Sequence, residues 1–264
     1  MRALGNFASL LHNENIKVYS RIRTWVMLAL LVLLGIALPV LFYTASDVGN
    51  RPGRWESFEM TMSVLFFLNS IFTVIIASDM VAGEFSWGTI KLLLIRPWSR
   101  SKILLSKYLS VVLFSLLTTV LLAVFALGTS FLLFKTGDIT RYTKGDWTPA
   151  TYMLTSIACS YVQLFITAAL AFMVSSVFRA SGLSIGLSLF LIFANGIIIA
   201  IFNPDHYSWA KYLLFNHLDL QMYMNSSTGP GGVTIGFSAA VLAVYYLVFM
   251  LISWLVFSKR DVAA

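Results

Sequence analysis

Residues 108–134 read YLSVVLFSLLTTVLLAVFALGTSFLLF, 27 positions without one charged side chain. A helix rises about 1.5 Å per residue and a bilayer's hydrocarbon core is about 30 Å thick, so about 20 apolar residues cross it. This stretch is long enough, and it is one of several. Charge-free runs recur at 24–46, 60–78, 147–178, 180–204 and 220–258. Together they define six candidate spans, read as 25–43, 58–78, 104–134, 151–177, 182–202 and 233–257. Of the 264 residues 59% are hydrophobic and 11% charged, against about 45–50% and about 25% in soluble domains. So little charge does not cover a water-facing surface. The sequence predicts an all-α membrane protein with six transmembrane helices.

The 18 Lys and Arg residues are shared unequally between the two sides of such a path. Arg2, Lys17, Arg21, Arg23, Lys91, Arg96, Arg100, Lys102, Lys107, Arg179, Lys259 and Arg260 fall on one side. Arg51, Arg54, Lys135, Arg141, Lys144 and Lys211 fall on the other. Positive charge is retained in the cytoplasm, so both termini and the 79–102 loop are expected inside a cell membrane. The net charge of +7 is then a topology signal, and no nucleic-acid partner is expected.

Residues 1–24 place Phe7, Leu11, Val18 and Ile22 at helical spacing, with His12, Asn13, Lys17 and Arg21 off that stripe. They are expected to form a cytoplasmic amphipathic helix lying in the membrane interface. Glu14 falls on the apolar stripe and interrupts it. Residues 25–257 then form the transmembrane domain and 258–264 a cytoplasmic tail. Within 203–232, Trp209, Tyr212, Leu213, Leu220, Tyr223 and Met224 recur near helical spacing and predict a short helix at the outer surface. Gly229-Pro230-Gly231-Gly232 ends it.

Missing chemistry narrows the function. Cys159 is the one cysteine, and His12, His206 and His217 lie far from it and from each other in sequence, so neither a disulfide nor a Cys/His metal cage is expected. No span carries an ionisable residue near its centre, which argues against ion-coupled transport. No Gly-rich loop ending in Lys-Ser or Lys-Thr is present to cradle a phosphate. The chain is expected to be no enzyme by itself and to hold no cofactor, so any vectorial work needs a partner's energy. The mid-span polar residues Asn69, Thr73, Gln163 and Asn195 are either substrate-pathway groups or interhelical hydrogen bonds.

Residues 77–102 read ASDMVAGEFSWGTIKLLLIRPWSRSK and form the one substantial internal loop on the cytoplasmic side. Asp79 and Glu84 supply acid, and Gly83 and Gly88 permit sharp changes of direction. Phe85 and Trp87 are large apolar groups in a loop that should face water, the pattern of a docking surface. A helix over 89–95 is expected to stop at Arg96-Pro97. Arg100, Lys102 and Lys107 are then placed at the lipid headgroups.

Glu84, then Gly88-Thr89-Ile90-Lys91, Leu93-Leu94, and Pro97 two residues before Ser99-Arg100, with Lys107 beyond, resembles the loop of type-2 ABC exporter permeases. The six spans, the amphipathic N-terminal helix and the outer helical segment resemble that family too. The resemblance implies the type-2 permease fold, a second permease copy or paralogue, and a separate ATP-binding subunit carrying ATP and Mg. It implies a coupling element formed by Gly83, Glu84, Phe85, Ser86, Trp87, Gly88, Thr89 and Lys91, leaving the loop through Arg96, Pro97, Arg100 and Lys102. The expected function is export of a hydrophobic or amphipathic drug, peptide antibiotic or lipid-like molecule, hence a link to drug or antibiotic resistance. The alternatives are a permease for an ion or polysaccharide, or a non-transporting membrane sensor or scaffold that tethers a cytoplasmic partner.

Overall fold

A computed structural model describes residues 2–47, 50–90, 98–143 and 147–259. Lys91, Arg96 and Pro97 lie outside them, as does most of the expected 89–95 helix. The described elements are α1 (Arg2–Tyr19), α2 (Ile22–Ala45), α3 (Arg54–Asp79), α4 (Ala82–Ser86), α5 (Arg100–Leu133), α6 (Pro149–Val177), α7 (Ser181–Ile201) and α8 (Ile235–Lys259). No strand occurs among the described residues. Six helices, α2, α3, α5, α6, α7 and α8, are long and apolar enough to cross a membrane. The chain is a multi-pass membrane protein.

Helix α3 is the most enclosed of the six and packs against α2, α5, α6 and α7. Helices α2, α7 and α8 turn most of their surface outward, where Leu33, Phe193, Ile197 and Leu247 stand exposed. In lipid an outward leucine is at home, and every backbone group must be paired within the helix. Buried Ser and Thr obey the same demand: Ser110 Oγ donates to Ser106 O at 3.0 Å and Thr61 Oγ1 to Ser57 O at 2.8 Å.

The ends of the helices follow from local chemistry. Thr148 caps α6 by accepting from Thr151 N at 3.2 Å, with Pro149 at the first helical position, where its missing N–H costs nothing. Gly53 opens α3 against the 134–139 segment; a Cβ there would fall 2.7 Å from the Gly137 Cα. Helix α1 ends one turn before α2, and the corner is closed by Thr24 Oγ1 donating to Val18 O at 2.6 Å.

The helix expected within 203–232 is replaced by short 3-10 turns at Ser208–Tyr212, Leu214–His217, Gln221–Met224 and Pro230–Gly232. Side chains take over the hydrogen bonding that a continuous helix would have used. Asn216 Nδ2 donates to Phe202 O at 3.1 Å and Ala210 O at 2.9 Å, folding the segment back on itself. The buried His217 donates from Nε2 to Lys211 O at 2.7 Å and accepts at Nδ1 from Ser238 Oγ at 2.7 Å. Ser238 lies in α8, so this imidazole staples the segment to the bundle.

Candidate functional site

Two features stand out, at opposite ends of the bundle. The first is a buried group of charges where α1, α3, α4 and α5 meet. Lys107 in α5 and Glu14 in α1 are each only 1% exposed. Lys107 Nζ donates to Glu14 Oε2 at 2.7 Å and to Glu84 Oε1 in α4 at 2.8 Å. Lys17 closes the ring, reaching Glu14 at 2.9 Å and Glu84 at 2.7 Å. Two cations thus face two carboxylates, and the ring is neutral. An ion leaves water only with partners of this kind, since an unpaired buried charge costs several kcal/mol.

Electrostatics within the ring follow that geometry. Burial alone would raise the Glu84 pKa. The charge and hydrogen bond of Lys107, with hydrogen bonds from Lys17 and Thr89, outweigh burial and hold it at about 2. Burial pulls the Lys17 pKa down, but Glu14 and Glu84 prevail and leave it above its ordinary value.

A second knot lies beside the first. Asp79, at the end of α3, accepts from Arg21 and Arg23 at the α1–α2 corner and from Ser181 Oγ at the start of α7. Gly83 makes room for it: a Cβ there would fall 2.8 Å from Asp79 Oδ1. Ser175 Oγ in α6 accepts from Val81 N and Ala82 N at 3.0 Å each, taking up donors of the α3–α4 turn. Ser86 Oγ accepts from Ser181 N at 2.9 Å and donates to Arg179 O at 3.2 Å. Gly88 ends the short helix with φ +69°, the left-handed backbone that glycine adopts most readily.

The expected loop residues therefore divide. Trp87 is 64% exposed, with Arg21 stacked 4.5 Å from its ring centroid, and Ser86, Gly88 and Lys102 are exposed with it. Phe85 is half-buried against the core. Glu84, expected in the coupling element, turns its carboxylate inward to Lys107, Lys17 and the Thr89 hydroxyl. Lys107 departs from its expected headgroup position, because its amine is the partner two buried carboxylates require. Arg100 donates to Ser258 O at 2.9 Å, joining the start of α5 to the end of α8. Glu14, Lys17 and Lys107 were not read as one site. The available signal was a carboxylate on the apolar stripe of one helix and an amine in the first turn of the span read as 104–134.

The second feature is a cavity of about 450 Å³ between α3, α6, α7 and the 215–221 segment. Gln163 and Asn195, two of the four expected pathway residues, line it. The other two do not. Asn69 is buried and donates to Thr119 Oγ1 at 3.0 Å, an α3–α5 hydrogen bond, and Thr73 is buried one turn further along α3.

The family model described as "Protein of unknown function (DUF2705)" matches residues 24–263. The chain is 31% identical to "Uncharacterized protein YhcI" of Bacillus subtilis (strain 168), over 97% of this chain and 99% of that one. It is 29% identical to "Uncharacterized membrane protein YdbK" of the same organism, over 72% of this chain and 76% of that one.

Proposed function

The chain belongs to the DUF2705 family, and we propose that it is the permease subunit of an ATP-driven type-2 ABC exporter, paired with a second permease and a separate ATP-binding subunit. The observation that carries this reading is the ionic ring. It fastens a surface helix (α1) and a five-residue helix (α4) to the start of one long span and leaves Trp87 exposed beside them. Five residues do not hold a helix by themselves. Tertiary contacts spent on keeping α4 shaped and Trp87 displayed suit a surface that receives force from a partner. Both termini and α4 then face the cytoplasm, in keeping with the Lys and Arg distribution.

A soluble ATPase rocking this surface would shift α1 and α4 as one body and pass the motion directly to α3, α5 and α7. The sequence holds no phosphate loop, so the ATP and its Mg belong to the partner. The test is purification of the tagged chain from its own host. The expected result is a complex that hydrolyses ATP, and a chain stripped of partners that hydrolyses none. Native complexes without any ATP-binding protein would overturn the proposal.

A further inference from the structure

The cavity between α3, α6 and α7 lies toward the end of the bundle remote from the ionic ring, since the 215–221 segment closes part of it. Most of its hydroxyls are already satisfied: Ser70 donates to Phe66 O at 2.9 Å and Thr167 to Gln163 O at 3.0 Å. Two groups on α7 are not. Ser188 is 3% exposed, and neither its Oγ nor Asn195 Oδ1 has a hydrogen-bond partner. Both residues line the cavity. A buried hydroxyl and amide oxygen are costly to leave unpaired, and both can accept from an occupant that carries N–H or O–H groups.

Charge narrows the occupant further. Asp219 is the one charged residue among the described lining residues. One of its oxygens accepts from Gln221 N at 2.9 Å, and a carboxylate has lone pairs for more donors than that. Phe67, Leu170 and Ile192 supply apolar wall. About 450 Å³ suits a drug-sized molecule. An anion would meet Asp219 with no cation to offset it.

We propose that this cavity binds a drug-sized, singly charged cationic amphipath. Its positive head lies at Asp219, its N–H donors reach Ser188 and Asn195, and its apolar body fills the space between α3 and α6. As the exporter's cargo this molecule rests on the permease reading; its binding needs no partner.

The test uses the whole chain alone in phosphatidylcholine nanodiscs. Ethidium, an apolar monocation with aromatic N–H donors, is titrated by fluorescence, with uncharged Nile red as comparator and empty discs subtracted. Ethidium is expected to bind saturably. Asp219→Asn keeps the acceptor for Gln221 and removes the charge, so it should weaken ethidium about tenfold and leave Nile red within about twofold. Asn195→Leu puts carbon in place of an acceptor and should weaken ethidium, which has N–H donors, while leaving Nile red, which has none, unaffected. No saturable ethidium binding, equal binding to Asp219→Asn, or binding only in discs with anionic lipid would each overturn the site. Saturable binding with the expected variant pattern, in a chain whose native complex lacks an ATPase, would keep the site and overturn the transport reading.

Discussion

Lys107 offers three N–H donors from one nitrogen, and two carboxylates from different helices take them at 2.7 and 2.8 Å. Lys107→Met fits an apolar chain of similar length into the site but strands Glu14 and Glu84 with Lys17 alone. Breaking a buried pair from one side costs about 3–5 kcal/mol, so a large loss of thermal stability in detergent is expected. The double variant Glu14→Gln/Lys107→Met leaves Glu84 with Lys17, one charge against one, and should recover part of that loss; strict additivity would refute the shared ring. The acid side of the ring has a definite pH signature. The pKa of Glu84 falls from 4.5 to about 2 on folding, so its contribution is complete above about pH 4.5 and is lost as the pH drops toward 2. Spin labels at His12 and Ser86 should report α1 separating from α4 in that window. Glu84→Gln should abolish the transition there, and an unchanged transition would place the acid sensitivity elsewhere.

At the scale of the element, α4 is held by others and presents one residue. Trp87→Ala removes a mostly exposed ring and one stacking contact with Arg21, a change worth about 1 kcal/mol or less to the fold. If the proposed ATPase seats on that ring, losing the anchor should cost about 2 kcal/mol of association, roughly thirtyfold. Pull-down with expression matched reads the difference, and unchanged recovery would mean that Trp87 is not the anchor. The spans were legible because hydrocarbon leaves a continuous apolar segment little choice but helix. Their ends were less so: α3 begins at Arg54 rather than near residue 58 because Gly53 and the 134–139 segment let Trp55 and Glu56 join its first turn. The 203–232 segment misled because aromatic spacing suggested a helix, while the polar Asn216 and His217 between those aromatics are what fold it. The pathway residues divided for a similar reason, since sequence gives depth in a span and not which neighbour a face meets.

At the scale of the whole molecule, the proposed orientation is testable without any partner. A Cys159-free variant carrying Trp87→Cys should react with an impermeant thiol reagent only after the cells are opened, and labelling of intact cells would invert the topology. The ring also sets a condition on biogenesis. Glu14 has Lys17 three residues away, but its second counter-ion lies 93 residues further along the chain, and at about 5–20 residues per second the ribosome takes roughly 5–20 s to supply it. Through that interval the Glu14 carboxylate has Lys17 alone, and the ring closes only when Glu84 and Lys107 have both been made. Chains that end before Lys107 never complete the ring. The ring is therefore completed only once the third span is under way, and its closure ties the first helix made to that span.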